Sequence, residues 1–252
     1  MAGICRAASA EHATAVARFA SLRSPYTSEP SQTTTWLENM PQVKAWTRDT
    51  FRPLCFFETS GFQMSELVAD IIRKQHAKGQ PAQKVIYLDC SRHLTSHNQI
   101  VIWRSMLQSL ILQFIHIESE AAERLQQRLV RTGHKLDSIF AKHVNGLVQP
   151  SFELLLNALR LVRPSNNDGT YVFIDKLDEV ANPAWKIRLH DLAKWLTEVD
   201  HAIVSSRESE HVQEAVESDF VRDGIRRTFL VISQDAEARG MRIIALVGSI
   251  LY

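Results

Sequence analysis

Unbroken runs of apolar residues recur along the chain, and each is followed by a segment with helical spacing. The segments that contain these runs, some with polar residues at their ends, are 54–57, 84–90, 170–175, 201–207 and 227–233. Runs of this length without polar alternation are typical of strands buried on both faces, and such strands belong to parallel sheets. We therefore predict five parallel strands.

The segments between the runs show the periodicity of helices. The predicted helices are 67–78, 101–118, 152–161, 189–196 and 241–251. The most apolar stretch, Ile100 to Ile117, contains Arg104, Gln108 and Gln113. These polar residues favour a buried helix over a membrane span. Strands alternating with helices predict right-handed βαβ units.

This alternation predicts an α/β domain of three layers, in which helices flank the five-stranded sheet. We assign residues 33–252 to this domain. Residues 1–32 are expected to form a loose, partly disordered lead, although a short helix is predicted over Ala8 to Leu22. Pro25 and Pro30 follow that segment and break regular structure.

Composition narrows the range of partners. Hydrophobic residues make up 45% of the chain, charged residues 23%, and the net charge is +1. This balance gives no electrostatic reason to expect a nucleic acid or an anionic membrane as partner. Cys5, Cys55 and Cys90 form no Cys-x-x-Cys pair, which argues against disulfides and structural zinc and favours the reducing cytoplasm.

Three carboxylates follow the central apolar run. Asp175, Asp178 and Glu179 come at the carboxyl end of the predicted strand 170–175, where ligands bind in open parallel sheets. Carboxylates in this position can hold a hydrated magnesium ion and orient a water molecule toward a phosphate. The alternative is a buried strand followed by a solvated acidic turn.

The strand, turn and helix that begin at residue 54 have the architecture of a phosphate-binding loop. A working loop reads Gly-x-x-x-x-Gly-Lys-Ser/Thr, because glycines wrap the phosphates, the lysine neutralises them and the hydroxyl binds magnesium. Here only the hydroxyl of Ser65 and the interior Gly61 remain, while Glu58, Gln63 and Met64 occupy the two glycine positions and the lysine position. The loop is therefore incomplete.

Two further features leave alternatives open. Ser60 and Gln63 have the spacing of a capping box, which predicts an ordinary helix start instead of a phosphate site. Arg207 ends a predicted strand, where it can contact a terminal phosphate or form an ion pair with Asp178 or Glu179.

With these residues in place, the chain resembles the NACHT-type P-loop domain of the STAND class of NTPases, especially the nephrocystin-like N-terminal version that is frequent in fungal proteins. The resemblance covers about residues 33 to 250. It is carried by Trp36-Leu37, Trp46, the strand, loop and helix at 54–78, and segments 104–110, 171–179 and 204–207.

The resemblance implies the strand order 5-1-4-3-2 and ATP or GTP with Mg²⁺ as the ligand, used to switch assembly. It places Ser65 on the magnesium-binding hydroxyl, Asp175 on the acid of the metal site and Glu179 on the catalytic or water-orienting carboxylate. Arg207 falls on the sensor position. The nucleotide-binding set that it implies consists of Gly61, Ser65, Asp178 and Arg207.

Two departures from the family pattern shape the functional expectation. Met64 stands at the lysine position, which removes a phosphate contact worth about 1.5 to 3 kcal/mol, or about 10- to 100-fold in affinity. Lys176 stands at a position that is usually small, and strand alternation would point it away from Asp175. We therefore expect a degenerate signalling scaffold that binds nucleotide weakly or not at all and acts through protein partners or self-association. The alternative is a slow ATP- or GTP-hydrolysing switch that uses Glu179.

Overall fold

A computed structural model describes most of the elements predicted above. It covers residues 2–22, 41, 43–44, 53–58, 65–66, 68–69, 72–73, 84–94, 98–118, 120–133, 139–140, 150–163, 170–182, 185–199, 201–207, 210–217, 220–222, 225–227 and 230–233. The predicted terminal helix 241–251 and the residues Trp36, Leu37 and Trp46 lie outside these ranges. The chain divides into two compact units, a first unit of residues 1–19 and 86–168 and a second unit of residues 20–85 and 169–252.

The helices and strands follow one another in the expected alternation. The helices are α1 (Ala2–Ser21), α2 (Gln99–Ile117), α3 (Ala121–Arg131), α4 (Phe152–Val162), α5 (Lys186–Leu196) and α6 (Glu210–Glu217). The strands are β1 (Leu54–Glu58), β2 (Val85–Asp89), β3 (Tyr171–Asp175), β4 (His201–Arg207), β5 (Phe220–Arg222), β6 (Ile225–Arg227) and β7 (Leu230–Ser233). Short 3₁₀ turns follow β2 (Cys90–His93) and β3 (Leu177–Val180).

A parallel sheet of four strands forms the centre of the second unit. β4 pairs with β3 on one side and with β1 on the other, and β1 pairs in turn with β7. The register places Ile203 opposite both Phe173 and Leu54. These three side chains are fully buried, as expected for strands covered on both faces. The α/β class is thus confirmed, and these strands follow the expected order.

The second unit also contains a small hairpin that the sequence pattern does not predict. β5 and β6 pair antiparallel, with Phe220 opposite Arg227. The predicted strand 227–233 is correspondingly shorter, because Arg227 belongs to the hairpin and β7 begins only at Leu230.

Helix α2 organises the first unit. It is long and apolar enough to cross a membrane by length and composition, yet more than half of its most apolar 18-residue stretch is buried, as in the core helix predicted from its polar interruptions. Trp103 on α2 packs edge-on against Phe152 of α4, with ring centroids 6.0 Å apart. Gln113 accepts a hydrogen bond from Tyr87 N and donates one to Tyr87 O, both at 3.0 Å. The Gln113 amide thereby satisfies one edge position of β2.

The N-terminal segment contains the helix predicted over Ala8 to Leu22, but the helix begins earlier and is packed rather than loose. Residues 2–21 form α1, whose buried residues are Ile4, Ala8, His12, Ala15 and Phe19. This face docks in the first unit, where Glu11 accepts a hydrogen bond from Ser109 Oγ at 2.6 Å. Alanine contributes weakly to an apolar pattern, which is why the stripe gives little signal in the sequence. The expected boundary at residue 32 lies outside the described residues.

Candidate functional site

Three parallel strands of the second unit end at one edge, and their carboxyl ends carry the predicted site. β1 ends at Glu58, which is the register partner of Arg207 at the end of β4. β3, on the other side of β4, ends at Asp175. The strand topology therefore brings residues from distant parts of the sequence to one place.

Asp175 lies at the centre of this site. Its side chain is fully buried, and Oδ1 accepts a hydrogen bond from Ser65 Oγ at 2.7 Å. Ser205 Oγ, from β4, donates to the same oxygen. Burying a carboxylate costs free energy unless hydrogen-bond donors surround it. The two hydroxyls therefore offset much of the cost of burying Asp175. Ser65 and Asp175, predicted to share a metal site, are in direct contact.

The chain makes a left-handed turn immediately after Asp175. Lys176 has φ 57° and ψ 49°, and among the described residues it is the one non-glycine residue with positive φ. Its backbone N–H donates to Ser205 Oγ at 3.2 Å. Because Lys176 has left the strand, the alternation argument that pointed its side chain away from Asp175 does not apply at this position.

Asp178 ties the 3₁₀ turn to the end of β4. Its Oδ1 accepts from the backbone N–H of Arg207 at 2.8 Å and from Ser206 Oγ at 3.4 Å. Leu177 and Val180 are buried on either side and anchor the turn. The Asp178 carboxylate thus fixes where β4 stops.

Of the two alternatives that the sequence raises for Arg207, contact with a terminal phosphate stays a prediction. Arg207 does contact Asp178, but through its backbone amide, and its side chain is exposed. Within the described part of the chain, the guanidinium forms no ion pair with Asp178 or Glu179. The site therefore holds the Arg207 backbone in place and leaves its charge toward solvent.

Glu179 is positioned on the 3₁₀ turn, where its backbone N–H donates to Lys176 O at 3.1 Å. Its side chain is half-buried and makes no hydrogen bond to any residue that the structure describes. Gly61, Gln63 and Met64 lie outside the described residues, and Glu58 is described only through its backbone. Residues 59–64 of the predicted phosphate-binding loop therefore lie outside the described residues.

Ser205 is a site residue that the sequence pattern does not single out, since it enters only as part of the segment leading to Arg207. The signal for it is a pair of hydroxyl residues, Ser205 and Ser206, at the end of an otherwise apolar strand. A buried serine needs a hydrogen-bond partner, and the nearest predicted partner is the acid at the end of the neighbouring strand.

The donor set suits one half of a magnesium-nucleotide site. Magnesium prefers oxygen ligands, usually one or two protein groups together with waters and phosphates. Ser65 Oγ and the Asp175 carboxylate supply oxygens of this kind, and the Ser65 hydroxyl proton points at Asp175, so its lone pairs face away from that bond. In the sequence, Met64 stands at the position where phosphate-binding loops carry lysine. Ser65 and Asp175 thus have the donor chemistry that a magnesium ion requires.

Comparison with known proteins gives a family match. The family model described as nephrocystin 3, N-terminal, matches residues 32–208, which include β1, β3, β4 and all of the site residues above. No curated protein and no solved structure matches the chain. Because the match spans well over half of the sequence, the chain belongs to the nephrocystin 3 N-terminal family.

Proposed function

We propose that the chain is a nephrocystin-like signalling module of NACHT type, with a P-loop NTPase-like fold, that binds ATP or GTP weakly or not at all. In this proposal it acts in the cytoplasm through protein partners or self-association. The observation that carries the proposal is the buried hydrogen bond from Ser65 Oγ to Asp175 Oδ1. It joins residues 110 positions apart in the pairing that a magnesium-nucleotide site requires.

The strand order supports the same fold. The described order places β1 between β4 and β7, with β3 beyond β4. In addition, Tyr171 N donates to Lys84 O at 2.9 Å, which lays the residue before β2 beside the start of β3. A fifth strand in this position completes the order 5-1-4-3-2 in our proposal.

Weak binding follows from the phosphate side of the site. Loss of one charge-assisted phosphate contact costs about 1.5 to 3 kcal/mol, and Met64 provides no replacement charge. We expect titration of the purified chain with a fluorescent ATP or GTP analogue and Mg²⁺ to show no micromolar binding. The double variant Gln63→Gly with Met64→Lys should bind at least about tenfold more tightly.

A control variant without the lysine charge distinguishes the effect of the restored cation from the effect of the new glycine on the backbone. Gln63→Gly with Met64→Gln makes the same backbone change without the cation and should not gain affinity. Micromolar binding by the unaltered chain would refute the degenerate site. Equal affinities for the lysine and glutamine variants would instead favour the ordinary helix start with Ser60 as its cap.

If the chain acts through protein contact, its assembly should not depend on nucleotide. Sedimentation of the purified chain, alone and with candidate partners, should give the same distribution with and without ATP and Mg²⁺. A shift on adding nucleotide would contradict the scaffold and support a switch.

The second candidate is a slow nucleoside triphosphatase. Glu179 favours it, because its half-buried carboxylate lies three residues beyond Lys176 and is not used in a side-chain hydrogen bond to the described residues. Phosphoryl transfer depends on positioning and charge rather than covalent chemistry. Steady phosphate release that Glu179→Gln abolishes would support this enzyme, whereas release unaffected by that change would come from a contaminant.

A further inference from the structure

Ser205 forms the centre of a directional chain of hydrogen bonds. Lys176 N–H donates to Ser205 Oγ, and the Ser205 hydroxyl in turn donates to Asp175 Oδ1. Because one side of Ser205 Oγ receives the amide hydrogen, its own hydrogen is directed at the carboxylate. Ser205 is fully buried, so solvent cannot replace it in this role.

The same carboxylate oxygen also accepts a hydrogen bond from Ser65 Oγ. Ser65 belongs to the helical segment after β1, whereas Ser205 belongs to β4. Asp175 is therefore held between two hydroxyl donors carried by different elements. Removing the Ser205 donor leaves the carboxylate with one fewer constraint on its rotation.

We infer that Ser205 is a positioning residue that sets the orientation of Asp175 for a magnesium ion. This inference rests on the proposed function and deepens it, because it assigns the magnesium dependence of nucleotide binding to a hydroxyl on β4. Ser205 itself contacts neither the ion nor the nucleotide in this account. It acts through Asp175 alone.

The test measures magnesium dependence rather than binding alone. In the Gln63→Gly, Met64→Lys background, the dissociation constant of a fluorescent ATP analogue is determined with saturating Mg²⁺ and again with EDTA. Ser205→Ala should reduce the ratio of the two affinities by about 10- to 100-fold, the worth of a hydrogen bond to a charged group. The affinity in EDTA should not change. Ser205→Thr keeps the hydroxyl and should restore the ratio.

Ser109→Ala is the matched control. Ser109 is also a buried serine whose hydroxyl donates to a carboxylate, that of Glu11 at 2.6 Å, but it belongs to the first unit. Removing this hydroxyl has the general cost of losing a hydrogen bond to a carboxylate. It should leave the ratio of the affinities with Mg²⁺ and with EDTA unchanged. Circular dichroism confirms that each variant is folded. If Ser205→Ala does not fold, Ser205→Cys replaces it, because a thiol has similar size and is a weak donor.

The outcomes separate the inference from the function on which it rests. An unchanged magnesium ratio in Ser205→Ala, with nucleotide still bound, overturns the role of Ser205 and leaves the proposed function standing. Failure of Ser205→Thr to restore the ratio also overturns it, because the hydroxyl is then not the relevant group. Absence of binding in the loop-restored background refutes the proposed nucleotide site, and the role of Ser205 falls with it.

Discussion

Replacing His12 should make the first unit less sensitive to acid. His12 lies on α1 with 6% of its surface exposed, and its ring stacks on His116 of α2 with centroids 4.5 Å apart and an interplanar angle of 28°. His12 Nδ1 is buried and has no hydrogen-bond partner among the described residues. His116 Nδ1 contacts Ser9 Oγ at 3.2 Å. A proton on His12 would thus be buried beside a second imidazole.

The size of the acid-dependent loss of stability follows from the pKa of His12. Burial, together with the neighbouring charge of His116, lowers this pKa from 6.5 to about 4. Since the folded pKa is the lower one, the unfolded chain binds one more proton between pH 6.5 and pH 4. The contribution of His12 to the free energy of unfolding is therefore largest above pH 6.5 and falls by about 1.4 kcal/mol for each pH unit between pH 6.5 and pH 4. The loss approaches about 3 kcal/mol at pH 4.

Hydrogen exchange of α2 peptides, recorded in dilute urea from pH 7 to pH 4.5, measures this loss in the first unit alone. His12→Phe keeps a flat ring against His116 without a titratable group. It should reduce the loss of exchange free energy over that interval by about 2 to 3 kcal/mol. Part of the pH dependence should remain, because burial also lowers the pKa of His93 to about 4.

His211→Gln in the second unit is the control for loss of a histidine. Retention of the full pH dependence by His12→Phe would refute the role of His12. The same holds if His211→Gln removes as much of that dependence as His12→Phe does.

Three other changes test individual contacts. Lys176→Gly should stabilise the second unit by up to about 1 kcal/mol, because glycine adopts the left-handed backbone without strain and this gain exceeds the added entropy of the unfolded chain. Lys176→Val should destabilise the unit. Equal urea midpoints for the two variants and the unaltered chain would refute the strained turn. Gln113→Leu should cost at least about 2 kcal/mol in urea unfolding, because it removes both hydrogen bonds between the Gln113 amide and the Tyr87 backbone; a loss below about 0.5 kcal/mol would contradict the role assigned to that amide. Arg207→Ala should change the unfolding free energy by less than about 0.5 kcal/mol, because the contact to Asp178 uses the backbone; a larger loss would show that the guanidinium supports the fold.

The parts of the fold that sequence predicts well are those in which one strong signal acts alone. The apolar runs at β1, β3 and β4 have no polar alternation, and burial on both faces is the arrangement that satisfies them. The meeting of Ser65 and Asp175 follows from topology, since parallel strands end at a common edge. That contact was therefore predictable although 110 positions separate the residues.

The parts that sequence misses depend on tertiary contacts or weak local signals. The buried stripe of α1 includes Ala8 and Ala15, and alanines are common on both faces of helices. The left-handed conformation of Lys176 contradicts the local preference of lysine, and it is held by the bond from its N–H to Ser205. No local pattern encodes a conformation that a residue 29 positions away stabilises.

The retained acid and hydroxyls of the site are not by themselves a record of nucleotide use. Asp175 is fully buried, and a buried carboxylate that loses a donor destabilises the fold by about 1 to 3 kcal/mol or more. Selection for folding alone therefore suffices to keep Ser65, Ser205 and Asp175 together. Glu179 and the Arg207 guanidinium are different, because neither makes a side-chain hydrogen bond or ion pair to the residues that the structure describes. Changes at these two positions should leave stability nearly untouched, so any effect that they have on phosphate release or on nucleotide-dependent assembly reports function directly.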